Sequence, residues 1–360
     1  MKIVAFTKYS YEGPSSRYRF YNYKKCLEKN GIELDIKPLF KKEYFLSKNR
    51  LKKSLIALKS YLKRIKDIFV IAKIKKYDLV LIEYELFPYF PPIFEKMLHN
   101  KNIKYIVDYD DAIFHKYDMH KSFILRSLLK NKIPKVIKNA TKVICCNNYL
   151  KNFAFKYNKN IEILHTVVLL DKYIEKQKKF IKQENSSFII GWIGSKSTSI
   201  YILDIIKDLN KILSKYKDIK LHLVGFDKSL LKESKQIKII KWDEKSEVDE
   251  ILKFDIGIMP LRNEPWSKGK CGFKIIQYMS CKKPVVASPV GINCEIVENG
   301  KNGYLASSNE WFNILERLYL ERDQNIKMGN QGFKKVLHDF NYNKNCEKYT
   351  LIIKELLCAQ

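Results

Sequence analysis

The chain has 360 residues, which at roughly 150 residues per domain means about two domains, each long enough to bury its own core. Apolar residues make up 46% and charged residues 30%, which excludes global disorder, and no apolar run reaches the roughly 18 residues of a membrane-spanning helix. The formal net charge is +29, which calls for either a polyanionic partner or no partner at all, since the codon usage of an AT-rich genome also enriches Lys.

The opening residues MKIVAFTKYS hold too short an apolar run for a secretory leader, so a cytoplasmic protein is expected. Lys2 to Phe6 reads as a first strand. A small polar loop with Gly13, Pro14, Ser15 and Ser16 follows, then a helix from Arg17 to Asn30 that ends at Gly31. Ile32 to Ile36 is the next strand. Between Lys41 and Lys76, 13 basic residues stand against 2 acidic ones, interleaved with Leu, Ile, Phe and Tyr. This reads as one or two basic amphipathic helices suited to an anionic membrane surface rather than to DNA. Leu79–Ile82, Tyr105–Val107 and Lys142–Cys145 are near-continuous β-branched runs, the pattern of buried parallel strands.

Polar Asp171 to Ser187 reads as a linker, after which the grammar restarts with Phe188–Ile193. A helix from about Ile200 to Tyr216 follows, and Leu221–Val224, Ile237–Ile240, Ile256–Met259 and Pro284–Ala287 supply further strands. The expected fold is α/β, with two Rossmann-like doubly wound domains in series. Eight cysteines occur without a CxxC pair, which suits neither a disulfide framework nor a zinc site and predicts reduced, mostly core thiols.

Ligands of such sheets bind beyond the carboxyl ends of the strands. After the first strand, Gly13, Ser15 and Arg17 open a helix whose N-terminus offers N–H groups to an anion, with Arg19 adding charge; a plain helix cap accounts for the same residues. Gly194, Ser195 and Lys196 follow the first strand of the second half and resemble a phosphate loop, but match neither GxGxxG nor GxxxxGK[ST], and capping again explains them. The segment Met259 to Gly303 is the most informative. A loop with Arg262, Lys268, Gly269, Lys270 and Gly272 leads into a helix starting near Phe273. Lys274 falls in its first turn, where the helix dipole favours acids, so it is expected to meet an anion. Gln277 follows at i+3 on the same face.

This segment also resembles the donor-site signature of the family-4 retaining glycosyltransferases of the GT-B fold. The matching text runs from Gly269-Lys-Cys-Gly-Phe-Lys-Ile-Ile-Gln to Pro-Val-Val-Ala-Ser288, then Gly291, Glu295-Ile-Val and Asn299-Gly-Lys-Asn-Gly303. GPSSRYR near the N-terminus, IVDYDDAIF at Ile106–Phe114 and His222-Leu-Val-Gly225 are similar to that family as well. The resemblance implies a cleft between residues 1–170, the acceptor-side domain, and residues 188–340, the donor domain, with 171–187 as linker and a C-terminal helix, 341–360, crossing back. It implies a nucleoside-diphosphate-sugar donor, UDP- or GDP-linked, retention of configuration, and no other cofactor or metal. A glycan or lipid-linked acceptor, and a place in surface polysaccharide or glycoconjugate synthesis at the inner membrane face, are implied too. The family's pair of glutamates falls on Gly269 and Gln277; Gln277 keeps a carbonyl oxygen for the nucleotide ribose, whereas Gly269 offers the donor sugar no side chain. Lys274 is the expected diphosphate stabiliser, and Asp110 or Asp111 the contact to a sugar or acceptor hydroxyl.

Three rival readings remain. Asp108-Tyr-Asp-Asp111 contains a DxD sequence that could hold a divalent metal in a GT-A enzyme, but GT-A enzymes have one principal sheet. A nucleic-acid-binding protein would fit the charge, yet no RRM, KH, zinc-finger or helix-turn-helix pattern occurs, so no nucleic-acid partner is expected. A nicotinamide enzyme is disfavoured by the missing GxGxxG.

Overall fold

The β-branched runs form the inner strands of two six-stranded sheets, all of whose pairings are parallel. The computed structural model describes residues 1–47, 49–74, 76–181 and 187–358. Met1–Thr166 with Asn343–Gln360 makes one unit and Val167–Tyr342 the other.

In the first unit β1 (Lys2–Tyr9), β2 (Glu33–Phe40), β3 (Leu79–Glu83), β4 (Tyr105–Tyr109), β5 (Lys142–Cys145) and β6 (Ile161–Ile163) lie in the order β2-β1-β3-β4-β5-β6. Every residue of β3, β4 and β5 is buried, which is why these strands show no apolar–polar alternation. Ile3 of β1 pairs with Leu34 on one side and with Leu79 on the other. The direction of winding therefore reverses between β1 and β3, and a crevice is expected beyond their carboxyl ends. The single helix expected over Arg17–Asn30 is instead three pieces: Pro14–Arg19, a 3-10 turn Tyr21–Tyr23, and Lys24–Lys29. Phe20 leaves the helical region (φ −129°, ψ −59°), and Arg19 and Tyr23 on either side of it are bound to partners far along the chain.

The helix Tyr342–Cys358 belongs to this first unit. Asn345 donates to the Tyr23 hydroxyl at 3.2 Å and to the His165 carbonyl at 2.7 Å, and the Tyr349 ring meets Tyr23 edge-on. Cys346 is disulfide-bonded to Cys26, with Cα atoms 6.4 Å apart. This corrects the expectation that all thiols are reduced. A sequence separation of 320 residues hid a pair that two packed helices bring together. Cys145, Cys146 and Cys281 are buried and outside the disulfide, as expected of core cysteines.

In the second unit β7 (Phe188–Ile193), β8 (Ile219–Val224), β9 (Ile237–Ile240), β10 (Ile256–Met259), β11 (Val285–Ala287) and β12 (Gly303–Leu305) lie in the order β12-β11-β10-β7-β8-β9. Winding reverses between β7 and β10. Its core is built from Trp192, Leu221, Ile258 and Val286 against Leu209, Ile212, Trp311 and Leu315 of the flanking helices. Leu170–Lys179, part of the stretch read as a linker, is a helix of this unit with Tyr173 buried, while residues 182–186 lie outside the described ones. Among the described residues no helix is long and apolar enough to cross a membrane.

Candidate functional site

The two switch points, one in each unit, carry the residues of interest. In the second unit the β7–β10 ladder pairs only Ile190 with Ile256 and Gly191 with Gly257. Beyond that the gap is bridged by the Tyr278 hydroxyl, which donates to the Ile258 carbonyl at 3.2 Å and accepts from the Ile193 N–H at 3.0 Å. Tyr278 thus closes the floor of the crevice. Sequence reasoning missed it, because an aromatic residue in a helix reads as ordinary core.

Above that floor the loops of β7 and β8 touch. Gly225 has φ +76°, and a Cβ there would lie 2.2 Å from the Gly194 carbonyl oxygen, so only glycine allows this approach. Gly194 donates to the Val224 carbonyl at 2.9 Å. Ser195 and Thr198 cap one another around a short 3-10 turn that carries Lys196, the capping arrangement the sequence allowed for.

The helix Phe273–Ser280 starts from Gly272 in the left-handed region (φ +66°), where a Cβ would meet Ile296 at 2.4 Å. None of the residues of its first turn is acidic and Gly272 offers no side-chain cap, so the positive end of the helix dipole is not offset by the helix's own side chains. Lys274 lies with its ammonium 4.9 Å from the Trp192 ring centre, which ties it to the end of β7, and Lys270 lies 5.2 Å from the ring of Trp266. Lys196, in the turn after β7, and Lys274, in the helix that follows β10 and against Trp192 of β7, form an arrangement that can bind a diphosphate. Arg262 is placed differently from the expectation that it faces the donor: it makes a two-point ion pair with Asp204 at 2.7 and 2.8 Å on the surface. Gln277 is buried, and its amide donates to the Tyr173 hydroxyl at 3.1 Å. Phe273 is half-buried at the helix start.

The switch point of the first unit is acidic. Arg19 is buried and holds Asp108 by two bonds of 2.9 and 2.8 Å, while donating to the Leu164 carbonyl at 2.6 Å. Arg19 is thus a core cation and not the anion ligand its position suggested. The Asp108 carboxylate is likewise engaged, so the DxD sequence does not present two carboxylates to one ion. Among the described residues no group of three or more His, Cys, Asp or Glu side chains is placed to hold a metal. Arg17 is also buried, its guanidinium 5.4 and 5.0 Å from the Tyr11 and Tyr18 rings, whereas Gly13 begins the Pro14–Arg19 helix without a side-chain cap.

Tyr84 was not anticipated. It has φ +62°, and the Glu85 N–H donates across it to the Glu83 carbonyl at 2.7 Å, a tight three-residue turn rare for a bulky side chain. This turn sends the Tyr84 hydroxyl to both Ser15, at 3.0 Å, and the Asp110 carboxylate, so three loops meet at one phenol. Burial and the neighbouring Asp111 charge push the Asp110 carboxyl up to about 6, against the Tyr84 bond and Arg19, which pull it down. Beneath it Glu83 is pushed up to about 7 by burial, although it accepts from Ser16 at 2.6 Å and from the Lys8 N–H at 2.8 Å. Asp111 is half-buried beside this group.

Residues 187–320 match the family described as glycosyl transferases group 1. The chain is 26% identical over 225 residues to an uncharacterized glycosyltransferase of Methanocaldococcus jannaschii, covering 58% of each protein. It spans 58% of that relative's length and 19% of another curated relative's. Among solved structures, sucrose-phosphate synthase from Thermosynechococcus elongatus superposes with a TM-score of 0.76 at 16% identity, covering 100% of both chains. Anabaena HepE in complex with UDP-glucose gives 0.70 at 14% identity, covering 99% of this chain and 100% of that one. Within the second unit, residues 187–320 are thus similar to the glycosyl transferases group 1 family, and the chain as a whole has the two-domain GT-B fold.

Proposed function

We propose that the chain is a glycosyltransferase that moves a sugar from a nucleoside-diphosphate-sugar donor to a glycan or lipid-linked acceptor with retention of configuration and without a metal. The observation that carries this reading is the start of the Phe273–Ser280 helix. There the positive end of the helix dipole, a first turn without acidic residues and Lys274 lie together, with Lys274 against Trp192 at the end of β7. UDP is the favoured nucleotide, because the similar HepE was solved with UDP-glucose.

In this reading the acceptor oxygen bonds the anomeric carbon as the bond to the diphosphate breaks on the same face. The acceptor proton passes to the departing diphosphate oxygen. Negative charge grows on that diphosphate, and Lys274, Lys196, Lys270 and the helix N-terminus stabilise it electrostatically. Gln277 lies one turn further along the helix, at the place the resemblance gives to the ribose contact. Asp110, held by Tyr84, orients an acceptor hydroxyl. Surface polysaccharide or glycoconjugate synthesis, with the protein peripheral at the cytoplasmic membrane face, is the role this chemistry fits.

A panel of UDP- and GDP-sugars, read by donor hydrolysis and thermal shift, tests the reading. Stabilisation by at least one nucleotide sugar and turnover that survives EDTA are expected. No response to any donor would overturn it, and activity lost on chelation and restored by Mn²⁺ would overturn its metal-free part.

A further inference from the structure

The helix Arg50–Ile74 buries Arg64, Ile68 and Ile71 against the first unit and turns a second apolar face outward. Leu51, Leu55, Leu58, Leu62, Ile65 and Phe69 follow one another at spacings of four and three residues, which at 3.6 residues per turn places them in one narrow stripe. Leu51, Leu55, Leu58, Leu62 and Phe69 are between 54% and 77% exposed, far from the usual fate of a leucine row. Lys52, Lys59, Lys63 and Lys66 project along one flank of the stripe, all exposed, and Asp67 is the helix's one acid. At its far end Phe69 meets the Phe94 ring at 6.2 Å, and exposed Phe90 and Ile93 continue the apolar surface beyond it.

Arg64 shows how this helix is fastened. Its buried guanidinium donates to the carbonyls of Thr7 at 2.6 Å, Lys37 at 2.7 Å and Leu86 at 3.2 Å, which belong to β1, β2 and the segment after β3. Tyr61 adds a bond to the Pro88 carbonyl at 2.7 Å. These acceptors lie at the carboxyl-end side of the sheet, where Ser15, Tyr84 and Asp110 also meet. Arg64 is thus a fastener, which removes it from the lysine-rich surface its sequence position suggested.

We infer that the Leu51–Phe69 stripe with its lysine flank docks the first unit onto an anionic lipid bilayer, the leucines entering the headgroup region and the lysines pairing with lipid phosphates. The charge pattern chooses this occupant over a second copy of the chain, although the spacing would suit a coiled coil. An antiparallel pair would set Lys52, Lys59 and Lys66 against the same lysines of the other copy. A parallel pair would set them against Tyr61 and Ile68, which are packed onto the body of the unit. An anionic surface meets the same row with opposite charge, and each lysine adds to the attraction. Docking there also brings the acidic switch point, fastened through Arg64, close to the lipid surface. The inference rests on the proposed lipid-linked acceptor but is read without turnover.

The test is co-sedimentation of the full chain with phosphatidylglycerol–phosphatidylcholine vesicles and with phosphatidylcholine vesicles alone. Binding to the anionic vesicles only, falling as salt is raised to about 1 M, is expected. The triple change Lys52→Glu, Lys59→Glu, Lys66→Glu and the triple change Leu55→Gln, Leu58→Gln, Leu62→Gln are each expected to weaken it at least roughly tenfold. These side chains are exposed or border solvent, and Leu58→Gln alone serves if the leucine triple does not fold. Equal binding to neutral vesicles, or undiminished binding by either triple variant, would overturn the inference. So would a concentration-dependent dimer in sedimentation velocity that the leucine changes abolish in a chain that ignores vesicles. Thermal shift with UDP on the same samples reports the glycosyltransferase reading, so either can fail alone.

Discussion

The acidic side chains at the carboxyl ends of β3 and β4 are Glu83, Asp108 and Asp110, all buried, with Arg19 paired to Asp108. Around the β7–β10 switch point stand Lys196, Lys270 and Lys274, set among Gly194, Gly225 and Gly272. Both sheets are parallel and reverse their winding once, with one strand outside β1 in the first and two outside β7 in the second, yet their crevices have opposite electrostatics. The topology thus supplies a place for a ligand, while the residues after each strand decide its charge. A basic, glycine-lined crevice suits a diphosphate. An acidic one with a phenol suits hydroxyl groups, whose protons carboxylates accept.

The largest effect that separates the two regions should come from Arg19→Ala. It leaves Asp108 buried without its cation and is expected to lower the stability of the first unit by about 3–5 kcal/mol. Denaturant unfolding followed by hydrogen exchange in each unit checks it; equal loss in the second unit would mean that the two do not act as separate folding bodies. Lys274→Ala should instead reduce kcat/KM by about 2–4 kcal/mol of transition-state stabilisation, the scale of one oxyanion donor, with little change in melting. Wild-type turnover by the folded variant would remove the diphosphate from this helix.

A pH profile sharpens the acidic side. Asp110 is held at about 6 by burial and the Asp111 charge, opposed by the Tyr84 bond and Arg19, with Asp108 adding a like charge. Tyr84→Phe removes one of the opposing influences, so the carboxyl rises and the acid limb of kcat/KM moves to higher pH, while the plateau above it is kept. An unmoved limb would leave Tyr84 a purely structural residue. The smallest change expected is from Gln277→Glu, which replaces the amide donor to the Tyr173 hydroxyl by a carboxylate that can only accept and should tighten nucleotide binding by roughly 1 kcal/mol, as charged hydrogen bonds exceed neutral ones. Titration calorimetry with UDP measures it, and unchanged affinity would turn Gln277 away from the ribose.

Most of this architecture was legible in the residues, for a physical reason. Strands buried on both faces must be continuous apolar runs, and β3, β5, β7 and β10 are. The edge strands β6 and β12 were not legible, since three residues each, partly exposed, carry too little pattern. The break at Phe20 was hidden because its causes, Asp108 for Arg19 and Tyr349 for Tyr23, lie far along the chain. At the site, Lys274 stood out because a cation in a helix's first turn runs against the dipole. Arg17, Arg19, Arg64 and Arg262 misled, because an arginine's composition signal is the same whether it meets solvent, a carboxylate or backbone carbonyls. Tyr84 left no trace, since backbone strain is not written in residue type.

The helix Tyr342–Cys358 gives the chain an unusual order of assembly. It is made after the second unit, yet its Cys346, Asn345 and Tyr349 complete the packing around Cys26 and Tyr23, and Cys26 precedes Cys346 by 320 residues. During synthesis at about 5–20 residues per second, the first unit must wait with this side uncovered for some tens of seconds while the whole second unit is produced. The second unit, continuous in sequence from Val167 to Tyr342, has no such delay. Of the two units, the one whose synthesis starts first is therefore the one that finishes folding second.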